Sequence, residues 1–349
     1  MSADALRDAL RRLAAGESLS ADDTAAAFGV VMRGEGTAAQ VAALLMALRV
    51  KGETVEEVTG GARALREAMI HLPASDPLSL VDTCGTGGGR VATFNISTAA
   101  AFVAAGAGAR VAKHGNRSFT TQCGSADVLE ALGVQIELSV DDMRRVLEEA
   151  GIVFMFAPLM HPAMRHVGPV RRELSIPTVM NVLGPLANPA GAGRQVVGVA
   201  EAHRMPLLAG ALAALGSVHA LVVHGEPGMD EVSPIGTTRV LEVRDGKVTE
   251  WTIDPARYGM APAPAESLAG GAPAANARIV NSVLSGEERG AARSAVVLNA
   301  AAAILVAGSA PDFGGAVERA AEAIDAGDAL EALARLRRAS EPRRAAPGA

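Results

Sequence analysis

The sequence is poor in the residue types that mark several large protein classes. Among 349 residues there are two cysteines, one tryptophan and one tyrosine, and aromatic side chains make up only 3%. Two cysteines, Cys84 and Cys123, are too few for a disulfide framework or a zinc site of their own. They read as reduced thiols of a cytosolic protein. So few aromatics argue against a base-stacking platform for single-stranded nucleic acid. Positive charge is also short: the formal net charge is −6 and the pI about 5.7. No general attraction to nucleic acid or an anionic membrane follows, so a basic residue that holds phosphate must act locally.

Long hydrophobic runs are scarce as well. Arg7, Asp8, Arg11 and Arg12 interrupt any apolar stretch near the N-terminus, which argues against a secretory leader. Residues 91–109 and 294–311 are uncharged, but Thr93, Asn95, Ser97 and Thr98 open the first and Asn299 sits inside the second. Both predict buried helices and no membrane span. What the chain does have is 49% hydrophobic residues, much of that count alanine, with 38 glycines besides. That supports a large core and closely packed helices, in two domains or in one large α/β domain with an appendage.

The first third is patterned as helices. Ser20 with Asp23, Thr37 with Gln40 and Thr54 with Glu57 have the spacing of helix-start caps. Gly16, Gly34 and Gly52 fall where the preceding helices should stop. Val41, Leu44, Leu45 and Leu48 mark one apolar face. The pattern predicts a small helical bundle over roughly the first 70 residues.

Pro73 and Pro77 end that pattern. Leu78-Ser79-Leu80-Val81 predicts a short buried strand entering an irregular turn, Asp82 to Gly89. A small-residue helix is expected from about Ile96 to Gly106, and a strand from Arg110 to Ala112 that ends in Lys113-His114-Gly115-Asn116-Arg117. Ser125 and Ser139 are expected to cap helices through Leu132 and Ala150, followed by a strand from Ile152 to Phe156. Strands from Val196 to Val199 and Ala220 to Val223 flank a helix from Pro206 to Leu215. This alternation predicts a mainly parallel sheet covered by helices. Asp245-Gly246 predicts an added hairpin, and helices should dominate from about Ala274 to Arg338.

Three local patterns carry chemistry. A glycine-rich turn after a buried strand leaves backbone N–H groups free to face an anion, and Asn95-Ile96-Ser97-Thr98 then opens a helix whose N-terminus favours negative charge. The hydroxyls of Ser97 and Thr98 suit phosphate, and Ser97 equally suits a metal ion. Next, Lys113 to Ser118 place two cations, two hydrogen-bonding side chains and a glycine at the C-terminal end of a strand, where open α/β sheets bind ligands. Finally, the adjacent carboxylates of Asp230 and Glu231 suit a hard cation such as magnesium, or else form an exposed acidic loop. Arg171 and Arg172 are candidate carboxylate-binding groups or ordinary helix-surface charges.

Taken in order, Gly85-Thr86-Gly87-Gly88, Thr93-Phe94-Asn95-Ile96-Ser97-Thr98, Lys113-His114-Gly115-Asn116-Arg117-Ser118, Gly124-Ser125-Ala126-Asp127, Val182-Leu183-Gly184-Pro185-Leu186 and Asp230-Glu231 resemble the anthranilate phosphoribosyltransferases of tryptophan biosynthesis. The similarity runs from about residue 5 to residue 335. The glycine turn and the Lys-His-Gly piece alone are shared with pyrimidine nucleoside phosphorylases, and a family member turned to nucleic-acid or protein binding is the rival of another class.

The resemblance implies an α/β protein of the nucleoside phosphorylase and phosphoribosyltransferase type. It implies a helical domain over residues 1–72, with helices from about 165–192 packed on it. Residues 78–164 and 193–340 form an α/β domain with a mainly parallel sheet, and 341–349 a frayed tail. It implies transfer of the phosphoribosyl group of phosphoribosyl pyrophosphate (PRPP) to anthranilate, with Mg2+, in a cytoplasmic homodimer formed through the helical domains. Gly85, Gly88, Gly89, Thr93, Asn95, Ile96, Ser97, Thr98, Lys113, His114, Gly115, Asn116, Arg117, Ser118, Phe119, Thr120, Thr121 and Ser125 would contact PRPP. Gly85, His114, Asn116, Arg171 and Pro185 would hold anthranilate, with Arg171 opposite its carboxylate. Ser97, Asp230 and Glu231 would serve the metal. Lys113, His114 and Arg171 would support the chemistry by electrostatics and positioning. Two residues depart from the family pattern: Gly89, where aspartate is usual, and Gln122, where many relatives carry lysine. Association with a glutamine amidotransferase subunit is left open.

Overall fold

Four helices open the chain: α1 (Asp4–Ala14), α2 (Ala21–Met32), α3 (Ala38–Lys51) and α4 (Val55–Ala68). They are seen in a computed structural model that describes residues 4–118 and 122–342. The expected caps form: Ser20 accepts the Asp23 N–H, and Thr37 and Thr54 make reciprocal capping boxes with Gln40 and Glu57. Glu57 also knits the bundle together. Its buried carboxylate accepts the N–H groups of Thr54 and Leu19 and the Lys51 ammonium, each at 2.9 Å. Removing one member of such a buried pair costs about 3–5 kcal/mol. Val41, Leu44, Leu45 and Leu48 are all buried, as their spacing requires.

The sheet elements follow as β1 (Val81–Gly85), α5 (Ile96–Gly106), β2 (Val111–Gly115), α6 (Ser125–Ala131), α7 (Val140–Ala150) and β3 (Ile152–Phe156). Short helices α8 (Ala157–Met160), α9 (Gly168–Leu174) and α10 (Met180–Leu183) occupy the crossing segment. The chain then returns through β4 (Arg194–Gly198), α11 (Met205–Ala214), β5 (His219–Gly225), β6 (Thr238–Arg244) and β7 (Lys247–Ile253). It ends in α12 (Pro273–Leu284), α13 (Ala291–Ala307), α14 (Phe313–Asp325) and α15 (Asp328–Ser340). Residues 343–349 lie outside the described residues, and so does most of the expected frayed tail.

The seven strands run in the order β3-β2-β1-β4-β5-β6-β7. The first five are parallel to one another, and β6 and β7 each pair antiparallel with the strand before. Asp245 and Gly246 turn the expected hairpin with φ of 51° and 71°. Alternate side chains of the sheet enter two cores. Val196, Leu221 and Val240 join the larger one with α5, α7 and α12 to α15. Val197, Val222 and Leu241 join the other with α11, the N-terminal helices and residues of α9 and α10. The period-2 pleat thus lets one sheet anchor both layers.

Four local expectations need correction. Residues Pro77–Ser79 form a 3-10 turn, because Pro77 has no N–H to give a ladder and its carbonyl accepts from Leu80. The strand begins only at Val81 and includes Asp82, Thr83, Cys84 and Gly85, which their composition predicts to be irregular. Polar Asp82 is accommodated in the strand because buried partners satisfy it, as described below. Strand β2 likewise runs on through Lys113, His114 and Gly115. Ser125 is the first residue of α6 and does not cap it. Gly124 is the cap, and the Asp127 carboxylate accepts its N–H at 2.8 Å.

Candidate functional site

The strand order reverses direction between β1 and β4, which makes a crevice at their C-terminal ends, a common ligand position in open α/β sheets. Gly85 and Gly198 are register partners there. The turn after Gly85 is pinned: Thr86 N–H donates to the Gly198 carbonyl at 2.8 Å, and the Thr86 hydroxyl accepts the Ala200 N–H at 3.1 Å. Gly85, Gly88, Gly89 and Thr93 lie on this turn or just after it. Asp230 fills the space beneath it. A Cβ on Gly198 would collide with the Asp230 carbonyl oxygen, and one on Gly89 would lie 2.7 Å from Asp230 Oδ1. Position 198 needs glycine for this approach, because the clash is with backbone, whereas a side chain at 89 would require the Asp230 carboxylate to shift.

Buried acids and a buried lysine meet behind that turn. The Lys113 ammonium donates to the Thr83 carbonyl, and to the Thr83 and Ser97 hydroxyls at 3.3 Å each. Burial lowers its pKa, opposed by the charges of Asp82, Cys84 and Glu231. Glu231 is pushed up to about 8, first by burial and then by Asp230, while Lys113 and the Ser97 N–H act the other way. Asp230 is also raised by burial, against N–H groups of Gly87 and Gly89. Ser97, Lys113, Asp230 and Glu231 therefore converge, as expected from residues far apart in sequence. Among the described residues no three or more His, Cys, Asp or Glu side chains are grouped to hold a metal. The two carboxylates and the Ser97 hydroxyl form a smaller, all-oxygen set. Magnesium suits such a set, because it keeps waters and binds substrate phosphates.

Other expected residues are placed less directly. Ile96 and Thr98 are buried, and the Thr98 hydroxyl has no hydrogen-bond partner. It lines a void of about 10 Å³ with Phe102 and Leu129. The Asn95 side chain is engaged by Asn276 at 2.8 Å and by the Cys123 carbonyl at 3.3 Å. Gly115 and Ser125 approach closely, and the Ser125 hydroxyl donates to the Asn116 carbonyl at 3.2 Å. Arg117 pairs with Asp127 and Glu130. The Ser118 N–H reaches Asp127 at 3.4 Å. Phe119, Thr120 and Thr121 lie outside the described residues. Both cysteines have raised pKa values, by burial first, with Cys123 at about 11, so neither is an activated thiol.

On the other side of β2, the rings of His114 and His161 lie with centroids 4.9 Å apart. Burial drives both toward the neutral form, to about 3 for His114 and about 4 for His161. His114 Nε2 and both ring nitrogens of His161 lack a hydrogen bond of good geometry, although the Ala187 carbonyl lies near enough to His161 to favour its proton weakly. The chain continues from His161 through a 3-10 turn to α9, which carries Arg171. That guanidinium is partly buried, its pKa is lowered by burial, and it has no ion-pair partner among the described residues. Pro185 is buried; its carbonyl accepts from Gln195 at 2.8 Å, and Arg66 holds the next carbonyl, of Leu186, at 2.7 Å.

Sequence reasoning missed a group of buried polar residues beneath these loops. Asp82 accepts the His114 N–H at 3.1 Å and the Asn188 carboxamide at 2.8 Å. Asn188 also donates to the Ala112 carbonyl and accepts the Ala190 N–H, both at 2.9 Å. It thereby ties the return from Pro185 to the two inner strands. Asn276 and His161 were missed too. The available signal was a polar residue inside an apolar or proline-marked segment, which does not name its partner.

Comparison with known proteins bears on this arrangement. The glycosyl transferase family helical bundle domain matches residues 7–69, and the glycosyl transferase family a/b domain matches residues 78–330. Anthranilate phosphoribosyltransferase of Rubrobacter xylanophilus is 54% identical over 335 residues, covering 96% of this chain and 97% of that protein. The chain belongs to the anthranilate phosphoribosyltransferase family. The Herpetosiphon aurantiacus member is 50% identical over 96% of this chain and 99% of its own length. The crystal structure of the Thermus thermophilus member superposes with a TM-score of 0.90 at 42% identity, covering 95% of this chain and 99% of that one. The Saccharomyces cerevisiae member in complex with PRPP and Mg superposes with a TM-score of 0.87 at 28% identity, covering 97% and 98% of the two chains. The family fold is thus the observed one, a helical bundle with a mixed, mostly parallel sheet.

Proposed function

We propose that this chain transfers the phosphoribosyl group of PRPP to the amine of anthranilate, giving N-(5-phosphoribosyl)anthranilate and pyrophosphate, a step of L-tryptophan biosynthesis. The observation that carries the reading is the convergence of the glycine turn, Ser97, Lys113, Asp230 and Glu231 in one crevice. PRPP takes the crevice side, against Gly85, Gly88, Gly89, Thr93, Asn95, Ser97 and the Lys113–Ser118 segment, with Ser125 behind it. Anthranilate takes the side of His114, Asn116, Pro185 and Arg171, where a lone guanidinium awaits a carboxylate.

Ser97, Asp230 and Glu231 fit Mg2+ by their oxygen donors and by the mutual repulsion that a cation would relieve. When bound, the ion neutralises charge on the diphosphate. The chain's own groups do the rest. Lys113 keeps Ser97 aligned and adds positive charge where pyrophosphate departs. Arg171 and Asn116 orient the amine, a proximity effect. An aryl amine is already neutral at pH 7, so no strong base is needed. The depressed pKa of His114 supports this, because a ring titrating near 3 is a weak base.

The helical bundle is the N-terminal unit, and residues 165–192 pack on it; the second core supports that division. The unit also offers a surface for a second copy of this chain. Leu13, Ala14, Met46, Ala47 and Val50 line an open groove of about 470 Å³ on α1 and α3, with Val50 79% exposed. The family resemblance supports a cytoplasmic setting, and no helix among the described residues is long and apolar enough to cross a membrane. Light scattering of the purified chain measures the dimer. Loss of anthranilate fluorescence that requires both PRPP and Mg2+ tests the activity. Phosphate-dependent cleavage of thymidine without that loss would assign the chain to nucleoside phosphorolysis instead.

A further inference from the structure

The loop joining β2 to α6 leaves the sheet at Asn116 and returns at Gly124, and its arms meet at a neck. A Cβ on Gly124 would collide with the Ser118 nitrogen and lie 2.6 Å from both the Arg117 carbonyl carbon and the Asn116 oxygen. The arms therefore touch backbone to backbone. The Asn116 carbonyl accepts from the Ser125 hydroxyl and the Ala126 N–H, each at 3.2 Å. One side chain spans the neck. Asp127 Oδ2 accepts the Gly124 N–H at 2.8 Å and the Ser118 N–H at 3.4 Å, and Oδ1 accepts from Arg117 at 2.8 Å. Arg117 also makes a two-pronged contact with Glu130, at 2.6 and 2.9 Å, and lies over the Phe156 ring, 5.5 Å from its centre. Its guanidinium is committed to two carboxylates of α6.

We infer that Asp127 is a positioning residue for the phosphoribosyl donor: it staples both arms of the neck, sets the angle at which Asn116 and Ser118 meet the donor, and is the group through which Arg117 acts. This rests on reading the loop as part of the PRPP site. It departs from the direct donor contact that the resemblance implies for Arg117. The balance of interactions favours Asp127 as the main element. The Arg117 side chain is 43% exposed, and an exposed ion pair contributes little. Asp127 is 19% exposed and receives backbone N–H groups from both arms, which are charge-assisted bonds. Burial works against its ionised form, but the Gly124 N–H and Arg117 outweigh it and hold the carboxyl below its ordinary range.

Steady-state kinetics with PRPP, Mg2+ and anthranilate test the staple in the wild type, Asp127→Ala, Asp127→Asn, Arg117→Ala and the Asp127→Ala/Arg117→Ala pair. Asp127→Ala is expected to raise KM for PRPP about tenfold, the scale of one charge-assisted bond, with kcat within about twofold. Asp127→Asn keeps an oxygen for Gly124 and should raise it about threefold. Adding Arg117→Ala to Asp127→Ala should change KM by less than about twofold, because both act through one carboxylate. Multiplying effects in the double variant would mean that Arg117 touches the donor, and would overturn the inference. So would a wild-type KM in Asp127→Ala. If Asp127→Ala melts early by circular dichroism, Asp127→Asn carries the comparison. Calorimetry of the wild type separates the two levels: no PRPP binding would sink the functional reading itself, whereas normal binding with unaffected variants would sink only the staple.

Discussion

On the side of the crevice proposed for the diphosphate, Lys113, Asn95, Asp230 and Glu231 each have partners inside the protein. On the side proposed for the amine, Arg171 has no ion-pair partner among the described residues, and the neighbouring rings of His114 and His161 are under-satisfied. The first side is largely partnered within the fold, although the repulsion between Asp230 and Glu231 is left for a cation to relieve. The second keeps polar groups waiting and stays less stable than its apolar equivalent would be. Buried polar groups normally find partners, and those left without one mark places where a ligand completes the structure.

The contrast can be tested from its strong end. Glu231→Gln removes one of the converging acids while keeping its shape, and kcat should fall about a thousandfold. Wild-type kcat at saturating Mg2+ would remove the acid pair from the mechanism. Asp82→Ala should instead act on the scaffold. It strands the Asn188 carboxamide and the His114 N–H and leaves Lys113 short of a compensating charge, so stability should drop about 3 kcal/mol in urea unfolding. An unchanged midpoint would mean that the buried network is not a unit. Arg171→Leu should separate function from stability on the amine side. KM for anthranilate should rise about a hundredfold, the scale of a bidentate ion pair, while PRPP binding holds and the melting temperature stays level or rises. A lower melting temperature would show that the guanidinium has a structural partner after all.

The smallest expected effect, residue by residue, is on pH. Native His114 and His161 titrate near 3 and 4, against an ordinary value of 6.5. Between those values the unfolded chain takes up protons first, so stability is present at pH 7 and is lost as pH falls through 6.5. The loss by pH 5 should be about 2 kcal/mol for each ring, about 4 for the pair, and His161→Asn should remove about half of it in parallel urea titrations. A pH-independent midpoint would place these rings in water.

Much of this protein could be read without coordinates. Helix caps at Ser20, Thr37 and Thr54, the apolar face of α3, the bounds of α5 and the Asp245-Gly246 hairpin are local matters, settled by residues a few positions apart. The site motifs were equally legible, because the glycine turn, the helix start after it and the Lys113–Ser118 run are each contiguous in sequence. Where local reading failed, the cause was tertiary. Residues 82–85 look like a turn by composition, yet they occupy the middle of a parallel sheet because β4 supplies a ladder partner for each of them, the His114 N–H of β2 donates to the Asp82 side chain, and Asn188 supplies it a buried amide.

Sequence alone, then, determined most of the helices and strands and the place of the glycine turn, since those choices depend on short-range sterics and periodicity. Only the tertiary structure decided which polar residues face one another: Asp82 with Asn188, His114 with His161, Asp230 under Gly89, and Asp127 across the neck of its loop. Those pairings depend on strand order and on the approach of distant backbones, and no local pattern encodes either.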